Sequence, residues 1–141
     1  MRNETLDAIR RLGKSKASIA TATTTAFDFG TPNDIDLRTT DWARGCRLLA
    51  ILHLTTAGTT DTTGWTIQDA PDNAGSIGTP ATALTNVIAG ALAGGTGDQY
   101  AVVEITPQAD RPWLRFNVTR ASGTTDTTVG TVTLLALPAT I

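Results

Sequence analysis

His53 and Cys46 are the single histidine and single cysteine of this 141-residue chain, and no residue types are better suited to general-base or nucleophilic work. Both fall in one apolar-centred run, CRLLAILHLTTA (46–57). No Ser/His/Asp arrangement is evident around His53, so it reads as a buried or edge histidine, and Cys46 as a small core residue. One cysteine makes neither an internal disulfide nor a cysteine-rich zinc site. Asp34, Asp36 and Asp41 could offer hard oxygen ligands to calcium, but such residues more often cap and turn a loop. Asp61 and Asp126 sit in polar loops with the same two readings. GGTGD (94–98) is glycine-rich, yet no lysine follows and no strand-to-helix setting is clear, so it is a flexible turn and not a phosphate loop. Asn3 and Asn117 match the glycosylation pattern by chance. Trp42, Trp65 and Trp113 could form a sugar-stacking face; core packing or a subunit contact is the plainer use of them. No active site emerges, and the chain is expected to be no enzyme, with no metal and no cofactor.

The elements that would position these residues are strands. Threonine makes up roughly a fifth of the chain, and a β-branched polar residue suits a pleated sheet with one wet face. The run 46–57 is nearly all apolar in its middle, as in a core strand buried on both sides. GWTIQDA (64–70), QYAVVEITP (99–107), PWLRFNVTRAS (112–122) and VGTVTLLALPA (129–139) also read as strands; in the third, Leu114, Phe116 and Val118 alternate with Arg115, Asn117 and Thr119. TPNDIDL (31–37) is a turn and a short strand. Residues 82–93 fit a helix by Leu84, Val87, Ile88, Ala91 and Leu92, or a strand or loop by Gly90. The phrase GTTDTTG (58–64) returns as GTTDTTVG (123–130), each copy between two strands, and turn-forming Gly, Asp and Thr predict two hairpin tips at one end of the fold. Together these features predict an all-β chain: a single β-sandwich of jelly-roll or Greek-key type with seven to eight strands.

The N-terminal piece is of another kind. The net charge is −2, but residues 1–16 carry five cations against two acids, and both lysines lie there. NETLDAIRRLG (3–13) predicts a short helix with Leu6, Ile9 and Leu12 on one side, capped by Asn3 and closed by Gly13. About three turns are marginal in isolation, so the apolar stripe needs a partner. KSKASIATATTTAFDFG (14–30) predicts an extended arm whose second half joins a sheet. The expected division is a helix and arm over 1–26 and a sandwich domain over 27–141. The longest apolar run, LLAIL, is far too short to span a bilayer, and no secretion-signal core is evident, so a soluble product of a cytoplasm is expected. Five cations mixed with two acids and no aromatics are a weak footprint for nucleic acid, and neither nucleic acid nor membrane is expected as a partner.

GWTIQDAPDNAGS (64–76) followed by YAVVEITPQADRPWLRFNVTRASGTTDTTVGTVTLLAL (100–137) resembles the small β-sandwich virion proteins of tailed bacteriophages, often head decoration or cement proteins. The likeness lies in a strand ending in Gln-Asp and an acidic turn, an RPWLRFNV-type strand, and a small-residue loop into a final apolar strand, over roughly residues 35–138. It implies a structural protein that binds the capsid exterior and bridges capsomers, with the major capsid protein as partner, self-association as a homotrimer, and no catalytic residue. The expected capsid or subunit contacts are Leu6, Ile9, Arg10, Leu12, Lys14 and Ile19. A neck- or tail-associated virion protein and a carbohydrate-binding sandwich module are the alternatives.

Overall fold

The computed structural model describes residues 10–19, 24–26, 34–39, 47–56, 62–93, 97–120 and 128–137. Seven strands of six residues or more carry the fold: β1 (Arg10–Ile19), β4 (Arg47–Thr56), β5 (Thr62–Ala70), β9 (Thr85–Gly90), β10 (Gln99–Ile105), β11 (Trp113–Arg120) and β12 (Thr128–Leu137). The short strands are β2 (Thr24–Ala26), β3 (Ile35–Asp36), β6 (Asp72–Asn73), β7 (Ser76–Ile77) and β8 (Ala81–Thr82). A single 3-10 turn, Leu37–Thr39, is the one helical element among the described residues.

These strands form two antiparallel sheets. The first has the order β1-β12-β4-β10-β9, the second β2-β11-β5-β8, with β3 also paired to β11; β6 and β7 make a separate hairpin. Alternation fixes which residues meet between the sheets. Leu48, Ala50, Leu52 and Leu54 of β4, Val132 and Leu134 of β12, and Ala101 and Val103 of β10 are fully buried from one side. Leu114, Phe116 and Val118 of β11 and Ile67 of β5 are buried from the other, and all belong to one apolar cluster. β11 thus alternates as its sequence predicts. β4 does not match the expectation of burial on both sides: Arg47, Ile51, His53 and Thr55 are exposed and Leu49 is half-buried. Its apolar run supplies both a core face and an apolar outer face.

The N-terminal expectation changes most. Residues 3–9 of the predicted helix lie outside the described residues, but Arg10, Arg11, Leu12 and Gly13 are strand, not helix. β1 pairs with β12 over nine positions, and the register explains why GKSKAS suits it. Gly13, Ser15 and Ala17 stand opposite the buried Leu134, Val132 and Gly130, while Lys14 and Lys16 stand opposite the half-buried Thr133 and Thr131. The ladder satisfies a long row of β12 backbone groups, a larger gain than one marginal three-turn helix offers. A register shift between Arg11 and Gly13 leaves Leu12 as the extra residue of a bulge. The predicted arm therefore enters a sheet in its first half, at Lys14–Ile19, as well as through β2.

Both margins of the fold are closed by chain that changes sheet. On one side β1 ends the first sheet and β2 the second. On the other, β8 pairs β5 and β9 pairs β10, and between them Ala83 N donates to Ile67 O at 3.0 Å while Thr106 N donates to Leu84 O at 3.0 Å. The ambiguous 82–93 segment is this margin. Gly90 holds its place there by shape: its φ is +75°, and an added Cβ would fall 2.0 Å from the Tyr100 carbonyl oxygen.

The threonine-rich repeats are not hairpin tips. β4 lies in the first sheet and β5 in the second, and β11 lies in the second and β12 in the first, so each copy crosses between sheets. They do cross at one end, as expected: Thr56 is paired with Thr128, and Thr62 with Arg120. Asp61, Asp126 and most of both loops lie outside the described residues.

Candidate interaction surface

Of the residues expected to make contacts, Leu6 and Ile9 lie outside the described residues; Arg10, Leu12, Lys14 and Ile19 all fall on β1, an end strand of the first sheet. The ladders extend Lys14, and Lys16 beside it, into rows across that sheet. Lys14 is level with Thr133, Ile51, Val102 and Ala89, and Lys16 with Thr131, His53 and Tyr100. Both rows begin at a strand with four cations and no acid, and the Lys14 row ends at β9, which has no charge. On the outer face between them Ile51 is 41% exposed and Tyr100 61%; at the β9 margin Leu84, Val87 and Ile88 are 57%, 42% and 53% exposed. Arg47 and Glu104 form an ion pair with each other on the same face. Sequence reasoning missed Ile51, Tyr100, Leu84, Val87 and Ile88. The signal was present: no charged residue occurs from Asn73 to Gly97, and β4 is apolar at both parities.

His53 is neither buried nor on an edge strand. It is exposed on the central strand of this sheet, with Tyr100 and Thr131 as its register neighbours. Cys46, Asp41 and Trp42 lie outside the described residues. Trp65 and Trp113 are buried, at 7% and 3% exposure, so neither offers a sugar a stacking face.

The second sheet carries polar clasps, and one of them joins the two stretches that carry the family resemblance. Asp69, 3% exposed, accepts from Gln108 Nε2 at 3.1 Å and from Arg111 Nε, while Arg111 Nη2 donates to the Asp69 carbonyl at 2.9 Å. Asn117 Nδ2 donates to Gln68 Oε1 at 2.9 Å. Arg115 grips Asp34 with two bonds of 2.7 and 2.9 Å, an arrangement that raises the guanidinium's pKa. Arg38 grips Asp36 at 2.9 and 2.8 Å, reaches Asp72 at 2.8 Å, and lies 5.6 Å from the centre of the Trp113 ring. Trp113 Nε1 donates to Asp72 at 3.1 Å. The Arg38 hydrogen bonds hold the Asp36 and Asp72 carboxyls below the ordinary aspartate range, and the indole bond adds to the effect at Asp72. Asp34 and Asp36, weighed as calcium ligands, thus have arginine partners. Among the described residues, no group of three or more His, Cys, Asp or Glu is placed to hold a metal ion. No helix among them is long and apolar enough to cross a membrane.

No known protein family model matches the chain, and no curated protein sequence does. Solved structures give loose likenesses. One is the crystal structure of SPBc2 prophage-derived protein YomS, at 12% identity and a TM-score of 0.40, covering 86% of this chain and 94% of that one. Another is the cyanophage Pam1 capsid asymmetric unit, at 13% identity and a TM-score of 0.38, covering 92% of this chain and 85% of the other. Both run nearly end to end, at similarities too low to carry a residue's role from one chain to the other.

Proposed function

We propose that this chain is a structural virion protein of a tailed bacteriophage: a β-sandwich of jelly-roll type that decorates the capsid exterior and bridges capsomers. In this reading it is made in the host cytoplasm, assembles as a homotrimer on the major capsid protein, and has no catalytic role. The observation that carries the proposal is the outer face of the first sheet. It exposes Ile51 and Tyr100, with a cationic strand at one end, on a body in which Arg38, Arg47, Arg111 and Arg115 are each paired with a carboxylate of the same chain. Large apolar side chains exposed together on one face favour association with another macromolecule. The resemblance of 64–76 and 100–137 to decoration proteins supports the same reading, because those stretches form the clasp and the strands β5, β10, β11 and β12. Arg10, Leu12, Lys14 and Ile19 on β1, with Leu6 and Ile9 before it, are the proposed margin of the contact.

The test is co-sedimentation of the purified chain with undecorated heads of its own phage, with the temperature of head disruption as second readout. Binding and a raised disruption temperature are expected, and both should fall in Ile51→Asp and in the Lys14→Glu/Lys16→Glu pair. Binding to neck or tail complexes but not to heads would move the site within the virion. Binding to none of them, together with a positive glycan array, would replace the reading with carbohydrate recognition.

A further inference from the structure

The two end strands of the first sheet differ in charge, and the difference decides which can meet its own copy. β1 holds Arg10, Arg11, Lys14 and Lys16 with no acid. Set antiparallel against the β1 of a second molecule, it would bring like charges across the pair, which is destabilising. Basic residues on an edge strand are a common guard against such pairing. β9, with the sequence TNVIAG, has no such guard. All six of its residues are exposed, even though Val87 stands opposite the fully buried Val103. The ladder therefore runs out from under its cover here and leaves Val87 and Ile88 in water, with Leu84 just before them. Among the described residues no strand pairs with β9 beyond β10.

A second β9 matches this margin in hydropathy and in lack of charge, and it supplies backbone donors and acceptors to an edge that needs them. We propose that β9 pairs antiparallel with β9 of a second copy about a two-fold axis, joining two five-stranded sheets through Val87 and Ile88. A two-fold contact uses the same patch twice, so a charge-free patch can meet itself without penalty. The register shift between Val102 and Val103 and the positive φ of Gly90 keep the shared ladder short. So short a contact falls below the ~800 Å² per partner of a standard interface. Association is therefore weak in solution, and it strengthens where copies are held side by side. The pairing needs only this chain and goes beyond the capsid reading.

The test is the solution mass of the full chain by light scattering, from micromolar to submillimolar concentration. The mass is expected to double with concentration, from whatever unit it starts. Val87→Lys, and separately Ile88→Lys at the more exposed bulge, should hold it at the lower value, with thermal melts showing that each variant is folded. An equimolar mixture of Val87→Lys and Val87→Glu chains should recover the doubling. A mass that stays constant with concentration, or a doubling that both lysine variants retain, overturns the proposal. Head binding is read separately, so loss of one reading leaves the other standing.

Discussion

The clasp at Asp69 gives an asymmetric expectation that a simple count of contacts would not. The Asp69 side chain is 3% exposed, whereas that of Arg111 is 22% exposed. Arg111→Ala removes the Nε bond to the carboxylate and the 2.9 Å bond to the Asp69 carbonyl, and leaves a buried charge with Gln108 as its remaining side-chain donor. Breaking a buried pair from that side costs about 3–4 kcal/mol, near the lower end of the range for stranded buried charges. Asp69→Ala strands only a guanidinium already in reach of water, so its cost is about 1–2 kcal/mol, that of a charge-assisted bond replaced by solvent. The double variant should resemble Asp69→Ala, so the coupling equals the whole Arg111→Ala cost, about 3–4 kcal/mol in magnitude. Urea unfolding of the four chains, at constant m, reads these differences directly. Asp69→Ala proving at least as costly as Arg111→Ala, or Arg111→Ala costing under about 1 kcal/mol, would refute the argument from burial.

Two further perturbations bear on neighbouring parts of the fold. In the β6–β7 hairpin, Ala74 and Gly75 occupy the turn with φ of 50° and 88°, a pair of positive values that favours asparagine first and glycine second. Ala74→Asn should stabilise by about 0.5–1 kcal/mol, part of the cost that a left-handed backbone imposes on alanine; an unchanged or lower unfolding midpoint would count against it. Asp36 and Asp72 have lowered folded pKa values, so their contribution is complete above the ordinary 3.8 and is lost as pH falls below that through the folded values. Arg38→Met should therefore flatten the loss of stability on the acid side of about pH 4. Parallel acid limbs in urea midpoints measured down to pH 2.5 would sink that linkage.

What the sequence made legible was local pattern, and what it hid was partnership. The alternation of Leu114, Phe116 and Val118 placed one strand's core face correctly. The two threonine-rich phrases do stand between strands, but a loop that returns within a sheet and one that crosses to another use the same residues. Only the pairing of Thr56 with Thr128 and of Thr62 with Arg120, remote in the chain, tells them apart. The segment around Arg10–Gly13 satisfied a helical spacing through Leu6, Ile9 and Leu12, and the alternation that follows it predicted only an extended arm, because the strand that pairs with it, β12, lies more than a hundred residues away. In β4 an unbroken apolar run looked buried throughout; half of it instead built the exposed face that now stands as the candidate surface. Lys14 was expected in the contact as a residue of the arm, and the ladder puts it level with Ile51.

The pairing at the two crossings has a consequence for engineering. Adjacent strands lie about 4.8 Å apart and packed sheets about 10 Å apart, so the four anchor residues mark a frame of roughly those dimensions. Both crossings start and end on that same frame. A peptide grafted into either one would emerge within about a strand's width of the other. Two grafts on one chain would then be presented as a single compound epitope, and lengthening one loop would set the room left for its neighbour.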